Sequence, residues 1–207
     1  MNTRTLRQFK ASLTMTERQQ HLLDGMMLGD GHLERQRGAL FARLKIEHSV
    51  AQSAYVDWKY EEWRDWVRTP PRDRVRRNRL GTTSMNRGFT TLSHHELETF
   101  RLRFYRDHRK VVPVDLTLTP VSVGVWFMDD GSKKSSQCRG VYFNTQSFAP
   151  PEIEILRLAL RRDAGVETTV RQQSDGTQIY VPSSSVGALA AFIGPELLPC
   201  MRYKLPG

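Results

Sequence analysis

Two short apolar segments, each ending in Asp-Gly, constrain the fold of this chain more than any other feature. The first covers residues 22–31 and the second covers residues 122–131. Aligned on Asp-Gly, the two segments lie 100 residues apart in a chain of 207 residues. This spacing predicts an internal duplication, in which the second half of the chain repeats the structural unit of the first.

Both segments carry the signals of a helix that ends near Asp-Gly. Thr16 and Gln19 fit a capping box, and Thr119 precedes a proline at the first position of the second helix. Gly31 and Gly131, the last residues of the two segments, are expected to end the helices, as glycine does just past a C-terminus. The sequence therefore predicts helices over about residues 17–30 and 120–130.

Small residues indicate how these two helices pack. Gly25 and Gly29 lie one helical turn apart and open a groove that another backbone can enter. If Gly124 supplies the matching gap, the helices pack side by side, and Asp30 and Asp130 emerge at the same end.

Asp30 and Asp130 occupy positions where a carboxylate is ordinarily unfavourable. The negative end of the helix dipole disfavours a carboxylate there by a few tenths to about 1 kcal/mol. A hard divalent cation such as Mg²⁺ reverses that sign, because carboxylate and terminal carbonyl oxygens become its ligands. Two unrelated core helices would explain the apolar residues but not the paired acids. We therefore interpret the segments as a metal site, with Gly29 and Asp129 as further ligands and room for two ions at one phosphodiester region.

The charge of the chain favours a polyanionic partner. The net charge is +9 and the isoelectric point is about 9.9. Residues 1–115 carry a net charge of +8 and residues 116–207 carry +1, so the first half is expected to bind phosphates more strongly. Two cysteines without metal-ligand spacing indicate a reducing compartment, and no apolar run approaches the length of a membrane span. Bacterial cytoplasm, mitochondrion and plastid all fit.

The remaining pattern alternates helices and strand pairs. Phe41–Ser49 alternates apolar and polar residues, as a half-buried strand does, and residues 53–67 predict an aromatic-rich helix that packs in the core. The basic run Arg72–Arg79 fits a hairpin that carries arginines to DNA better than a disordered arm. In the second half, Gly140–Ser147 predicts a strand. Each half is therefore predicted as helix, strand pair, helix, strand pair, helix, with an N-terminal half over 1–115 and a C-terminal half over 116–207.

A lysine near a proline provides a second anchor of the duplication. Lys110 lies 80 residues after Asp30, and Lys204 lies 74 residues after Asp130. A lysine in this place would stabilise the charge that develops on a phosphate or lower the pKa of an attacking water. The sequence therefore predicts one aspartate–lysine set in each half.

These residues resemble the LAGLIDADG homing endonucleases of the single-chain, two-motif type. The motif Trp126–Gly131 carries the resemblance, with further similarity at Thr69–Pro71, Asn144–Phe148 and Met201–Pro206. The resemblance extends from about residue 20 to the C-terminus. It implies an α+β fold of two pseudo-symmetric αββαββα halves, with the two motif helices packed at the central interface and saddle-shaped antiparallel sheets over DNA.

The resemblance also implies roles for individual residues. The metal-binding acids of the family map to Asp30 and Asp130, and the basic residues map to Lys110 and Lys204. A glutamine that orders water in relatives falls on Gln146, and its first-half counterpart is His48, which departs from the family pattern. Asp24 departs from a position where the family often has a small residue, and it lies too far around the helix from Asp30 to bind the same ion.

The implied activity is cleavage of both strands of a long asymmetric DNA site by a monomer that needs no protein partner and no membrane. Mg²⁺ is the expected cofactor; Mn²⁺ is expected to substitute, and Ca²⁺ to support binding without cleavage. The alternative is a non-cleaving protein of the same fold, either an RNA maturase or a transcription factor. The candidate DNA-binding residues are Arg43, Lys45, Arg72, Arg74, Arg76, Lys133, Tyr142, Asn144, Arg171, Gln173 and Gln178.

Overall fold

The protein is described by a computed structural model that covers residues 3–77 and 81–206. The chain forms two compact units: the first contains Met1–Gln20 and Gly31–Leu102, and the second contains His21–Asp30 and Arg103–Gly207. Both units combine helices with an antiparallel sheet, so the predicted α+β class is confirmed. The predicted halves, residues 1–115 and 116–207, are the two copies of the sequence repeat, whereas these units are defined by compactness. The division at residue 115 therefore stays a prediction.

The predicted order of helix, strand pair, helix, strand pair, helix occurs twice after α1 (Thr3–Ser12). The first copy contains α2 (Glu17–Leu28), β1 (His32–Glu34), β2 (Arg43–Ser49), α3 (Ser53–Glu62), β3 (Arg72–Arg77), β4 (Thr83–Thr90) and α4 (His95–Phe104). A short hairpin follows, made of β5 (Tyr105–Arg106) and β6 (Arg109–Lys110). The second copy contains α5 (Pro120–Asp130), β7 (Gly131–Lys133), β8 (Val141–Phe143), α6 (Pro150–Ala164), β9 (Thr169–Gln173), β10 (Gly176–Val181) and α7 (Ser183–Ile193).

The two four-stranded sheets share one topology. The strand order is β1-β2-β4-β3 in the first unit and β7-β8-β10-β9 in the second, with antiparallel neighbours throughout. Among the residues that the structure describes, none of the helices has the length and hydropathy needed to cross a membrane.

The core of the first unit forms as the residue pattern predicts. Leu44 and Ile46 of β2 are buried, whereas the alternate residues of that strand lie on the polar face. Tyr55, Trp63 and Trp66 are also buried, so these aromatic side chains stabilise the core, as predicted.

The basic run forms the predicted hairpin. β3 pairs with β4 from Arg72 opposite Gly88 to Arg77 opposite Thr83, and every residue of β3 is exposed. The part of the predicted run that covers residues 78 and 79 lies outside the described residues. The described strands thus present arginines on an exposed β-ribbon.

Helix α5 of the second unit begins and ends where it was predicted, but the glycine that ends it has an unexpected conformation. Ser122 N donates to Thr119 Oγ1 at 3.2 Å, and the reciprocal bond completes a capping box. Gly131 ends the helix in an extended conformation, with φ −72° and ψ 145°, not in the left-handed conformation typical of glycine caps. Glycine is needed there because a Cβ would lie 2.4 Å from the Phe127 carbonyl oxygen.

Strand β8 is shorter than the predicted strand over Gly140–Ser147. It ends at Phe143, and the backbone N–H of Asn144 continues the β7–β8 register by donating to the carbonyl of Asp130, which is still part of α5, at 3.0 Å. The end of this strand is therefore tied to the end of the second motif helix.

Candidate active site and nucleic-acid faces

The ends of α2 and α5 meet within the second unit. The backbone N–H of Asp30 donates to Asp129 Oδ2 at 3.1 Å. Asp130 is the last residue of α5, whereas Asp30 lies in a turn two residues beyond the end of α2 at Leu28. The prediction that the first helix continues to residue 30 was therefore wrong by two residues: the Gly29 N–H still donates to the Gly25 carbonyl at 3.0 Å, but the Asp30 N–H bonds to Asp129 instead of a helix carbonyl.

Two glycines of α2 allow the close approach of α5. A Cβ on Gly25 would lie 2.4 Å from the Ser122 carbonyl oxygen, and a Cβ on Gly29 would lie 2.5 Å from Asp129 Cβ. Side chains do not tolerate such distances, so a larger residue at either position would push the helices apart. Gly124 lies instead against Glu196 and Ile193, so the expectation that it supplies the matching gap was wrong.

Lys110 and Lys204 occupy equivalent places at the two helix ends. Lys110 Nζ donates to the Gly29 carbonyl at 2.5 Å. Lys204 Nζ donates to the carbonyls of Met128 and Asp129 at 2.6 and 2.8 Å. A cation at a helix C-terminus satisfies carbonyls that lack a partner and interacts favourably with the helix dipole. The structure thus places one lysine beside each of the two motif ends.

The carboxylates at this site influence one another electrostatically. Burial, together with the negative charges of Asp30 and Asp129, raises the pKa of Asp130 to about 8, although Lys110 and Lys204 oppose the shift. Three negatively charged groups therefore lie near only two lysines. A bound cation would relieve this repulsion and favour the ionised form of Asp130.

The donor set fits a hard divalent ion. The carboxylate oxygens of Asp30 and Asp129 lie within 4.8 Å of each other, close enough for both to contact one cation. The assignment of Asp130 and of the Gly29 carbonyl as further ligands stays a prediction. Oxygen ligands of this kind suit Mg²⁺ and Mn²⁺ and do not suit the softer ions that prefer sulfur.

The hairpin β5–β6 holds Lys110 in place. Its two central residues, Asp107 and His108, have φ of 47° and 65°, which is unusual for residues other than glycine. Next to Lys110, Arg109 donates two hydrogen bonds to Glu152 of α6, at 2.9 and 3.1 Å. The sequence analysis missed this anchor, because Glu152 is 43 residues away and only the fold brings it to the hairpin.

Gln146 lies beyond the end of β8, close to the turn between β9 and β10. A Cβ on Gly176 would lie 2.6 Å from the Gln146 carbonyl oxygen. Its expected role in ordering water stays a prediction. His48, its counterpart by sequence, is buried on β2 of the first unit, with Lys59 Nζ 3.0 Å from its Nε2.

Asp24 has a partner of its own within the second unit. Arg103 Nη1 donates to Asp24 Oδ1 at 3.0 Å. Burial raises the pKa of Asp24 to about 6, against the opposing charges of Arg103 and His21. The expectation that Asp24 belongs to a different site from Asp30 stays a prediction.

The polar face of the first sheet carries paired charges. Arg43 Nε donates to Glu34 Oε1 at 2.8 Å, and Arg76 Nε donates to Glu47 Oε1 at 2.6 Å. Arg74 of β3 is exposed. The remaining candidates on this face are Arg72, which is exposed, and Lys45, whose Nζ lies 3.9 Å from Glu47 Oε2.

The polar face of the second sheet carries a chain of amides. Gln173 Nε2 donates to Gln178 Oε1 at 3.0 Å, and Gln178 Nε2 donates to Asn144 Oδ1 at 2.7 Å. Asn144 Nδ2 then donates to the Asp130 carbonyl at 2.8 Å. Asn144, predicted to bind DNA, thus also contacts the end of the second motif helix.

The other candidates on this sheet differ in exposure. Arg171 Nη1 donates to the Tyr142 hydroxyl at 3.1 Å, and the tyrosine is buried. Lys133 and Arg171 are exposed, and Gln173 is half-buried. Gln178 is 8% exposed, so it orients Gln173 and Asn144 more readily than it reaches a base.

Comparisons with known proteins agree with this architecture. The sequence profile of the LAGLIDADG DNA endonuclease family matches residues 20–189. The chain is 26% identical to "Probable intron-encoded endonuclease 1" of Wickerhamomyces canadensis, over 99% of this chain and 91% of that protein. It is also 26% identical to "Cytochrome b mRNA maturase bI2" of Saccharomyces cerevisiae, over 89% of this chain and 46% of that protein. The solved structure of the homing endonuclease I-WcaI bound to its DNA recognition sequence matches with a TM-score of 0.92 and 25% identity, over 99% of this chain and 93% of that one.

Proposed function

Because the chain belongs to the LAGLIDADG DNA endonuclease family, we propose that it makes a double-strand break in a long asymmetric DNA target with the help of a divalent cation. The observation that carries this proposal is the arrangement at the motif ends, where Asp30 is accompanied by Lys110 and Asp130 by Lys204. A protein that only binds nucleic acid has no need of acids at two converging helix ends.

The proposal gives each group a distinct role. Asp30 and Asp130 would hold the cation, with help from Asp129 and from the Gly29 carbonyl. The cation, Mg²⁺ or Mn²⁺, supplies Lewis acidity and makes a nearby water more acidic. Lys110 and Lys204 fix the carbonyls that end the two helices and supply positive charge against the developing charge of the phosphate. The expected products carry 5′-phosphate and 3′-hydroxyl ends.

Recognition of the target is assigned to the polar faces of the two sheets. Exposed arginines of β3 match phosphates and guanine edges, and the amide of Gln173 on β9 matches adenine edges. The DNA-bound state of I-WcaI supports double-stranded DNA as the partner. Since both aspartate–lysine sets are present in one chain, we expect a monomer to cut both strands.

Cleavage of a randomised DNA library tests the proposal. The purified chain is incubated with Mg²⁺ and a plasmid library, and the cleaved sites are sequenced. We expect one family of related sites, with cleavage lost in Asp30→Asn and binding retained in Ca²⁺. Specific binding without cleavage in Mg²⁺ or Mn²⁺ would contradict the proposal.

A second candidate function follows from the similarity to the maturase. A maturase would bind a folded intron RNA and assist its splicing. Retention of an intron transcript in a gel, together with no cleavage of DNA, would favour this function. The expected compartment, an organelle or the bacterial cytoplasm, stays a prediction in either case.

A further inference from the structure

Glu47 is a carboxylate in the middle of the polar face of the first sheet. It lies on β2 opposite Gly88 of β4, and Gly88 in turn lies opposite Arg72 of β3. Its side chain is 19% exposed. A negative charge on a surface that binds DNA repels phosphates, so its place among arginines requires a reason of its own.

Several donors converge on this carboxylate. Arg76 donates from Nε to Oε1 at 2.6 Å and from Nη2 to Oε2 at 2.5 Å. Asn86 Nδ2 donates to Oε1 at 3.1 Å. The hydrogen bonds from Arg76 lower the pKa of Glu47 to about 2, with further help from Asn86 and Lys45, so the carboxylate is ionised at neutral pH.

The ion pair occupies only one edge of the Arg76 guanidinium. A guanidinium has five N–H groups in a planar fork. Glu47 takes the Nε N–H and one N–H of Nη2, which leaves the end-on edge formed by Nη1 and the second N–H of Nη2. Among residues 3–77 and 81–206, no hydrogen bond or ion pair uses this edge, and the Arg76 side chain is 46% exposed.

The end-on edge matches guanine. In the major groove, guanine presents O6 and N7 as two neighbouring acceptors, which an arginine fork contacts in a bidentate manner. Glu47 holds the side chain in place before DNA arrives, so less rotamer entropy is lost on binding. The carboxylate also offsets the charge of Arg76, which makes a phosphate a poorer partner than a base edge.

From this geometry, we infer that Arg76, held by Glu47, reads one guanine of the DNA target through its end-on N–H edge. The inference rests on the proposed function, since it requires sequence-specific binding of double-stranded DNA. Arg76 is then a specificity-determining residue and Glu47 is its positioning residue.

Arg74 offers a matched control on the same strand. It lies two residues before Arg76 on the same face and is exposed. Among the described residues, it has no carboxylate partner. An arginine without such a partner is suited to a phosphate contact, which contributes affinity but no base discrimination.

The experiment measures binding of a duplex selected from the randomised library and of all its single-base-pair variants, in Ca²⁺ to prevent cleavage. The proteins compared are the wild type, Arg76→Lys, Glu47→Gln and Arg74→Lys. In Arg76→Lys we expect discrimination at one G·C pair to fall by about 10- to 100-fold, because lysine cannot form the bidentate contact. In Glu47→Gln we expect a smaller loss at the same base pair, while affinity for unrelated DNA stays equal or rises. Arg74→Lys should keep the discrimination profile of the wild type.

The decisive result is whether Arg76→Lys and Glu47→Gln lose discrimination at the same base pair. A merely structural role of the ion pair would weaken binding to every duplex alike and leave the discrimination profile unchanged, which would overturn the inference. Loss of discrimination at different base pairs in Arg76→Lys and Glu47→Gln would also overturn it. If the wild type itself shows no sequence-specific binding, the proposed function fails first, and this outcome is visible before any variant is compared.

Discussion

The two motif ends are built on one plan but lie in different surroundings. At the first end, Asp30 is exposed in a turn, and the half-buried Lys110 donates to one carbonyl. At the second end, Asp130 is still part of the helix, its pKa is raised to about 8, and the buried Lys204 donates to two carbonyls. The second end is therefore the more tightly constrained of the two.

This difference separates what the chemistry requires from what the local fold requires. Both ends keep one acid and one lysine, although the lysines reach them from unlike elements. Lys110 lies on a two-stranded hairpin, whereas Lys204 ends a short 3-10 segment, Pro199–Lys204. Different elements thus supply the same pair of groups at the two ends. We expect loss of either acid to lower cleavage equally. Loss of the two lysines should lower stability unequally.

Replacement of the acids is expected to give the largest effect. Asp30→Asn and Asp130→Asn should each lower the cleavage rate by about 10³-fold or more, because each removes a charged ligand of the cation. Single-turnover cleavage of the selected duplex measures this. The exposed Asp65, in the first unit, provides a control for the same chemical change. If either variant cut at the parental rate, the two ends would not form one site.

Replacement of the lysines should separate the two ends. Lys110→Met and Lys204→Met should each lower cleavage by about 10²-fold. Lys204→Met should also lower the free energy of unfolding by about 2 kcal/mol, since hydrogen bonds from a buried charge are lost. The loss for Lys110 should be smaller because this lysine is half exposed. Urea unfolding measures the difference, with Lys10→Met as control. Equal losses of stability in Lys110→Met and Lys204→Met would contradict the expected effect of burial.

Loss of the contact between Arg109 and Glu152 should lower cleavage through the first motif end only. In Arg109→Met, the hairpin loses its bond to Glu152, and we expect kcat to fall by about tenfold because misplacement of Lys110 weakens its contact. The KM for the duplex should stay unchanged, since Arg109 is not assigned to DNA. Arg106→Met, on the other strand of the same hairpin, is the matched control. A rise in KM with unchanged kcat would show that Arg109 binds DNA instead.

The smallest expected effect is a dependence of stability on pH. The folded protein holds Asp130 with a pKa of about 8, whereas an unfolded aspartate has a pKa near 3.8. Between these values the folded state binds a proton that the unfolded state does not, so the free energy of unfolding falls as pH rises from about 4 to 8. In EDTA, the melting temperature should fall by several degrees between pH 5 and pH 8.

Two controls belong to the pH measurement. Asp130→Asn should have a flatter profile, with the remaining slope below pH 6 due to Asp24, whose pKa is also raised. Mg²⁺ should restore the stability of the wild type at pH 8 and should not affect Asp130→Asn. A wild-type melting temperature that rises from pH 5 to pH 8 in EDTA would contradict the assigned pKa.

Local patterns in the sequence predicted much of the fold. The alternation in β2 placed Leu44 and Ile46 in the core, and the caps at Thr16 and Thr119 located the starts of both motif helices. These features depend on residues within a few positions of each other, where spacing alone determines geometry. The repeat then made the order of elements in one half a guide to the other.

Contacts between distant strands and helices could not be predicted in this way. Gly124 lies against Glu196 rather than α2, because the rotation of a helix among several neighbours depends on all of them. The pairing of Glu47 with Arg76 depends on the register of three strands. The hairpin that carries Lys110 was not predicted from the sequence. Its left-handed turn residues are Asp107 and His108, whereas a glycine usually marks such a turn.

Titration of Ca²⁺ into the complex of the protein with its selected duplex tests the central claim most directly, because it measures cation binding at the site without cleavage. The heat of binding is compared between the wild type and the Asp30→Asn/Asp130→Asn double variant, with the duplex alone as blank. The account predicts saturable binding in the wild-type complex that disappears in the double variant. Equal binding in both complexes would show that these carboxylates do not hold the cation.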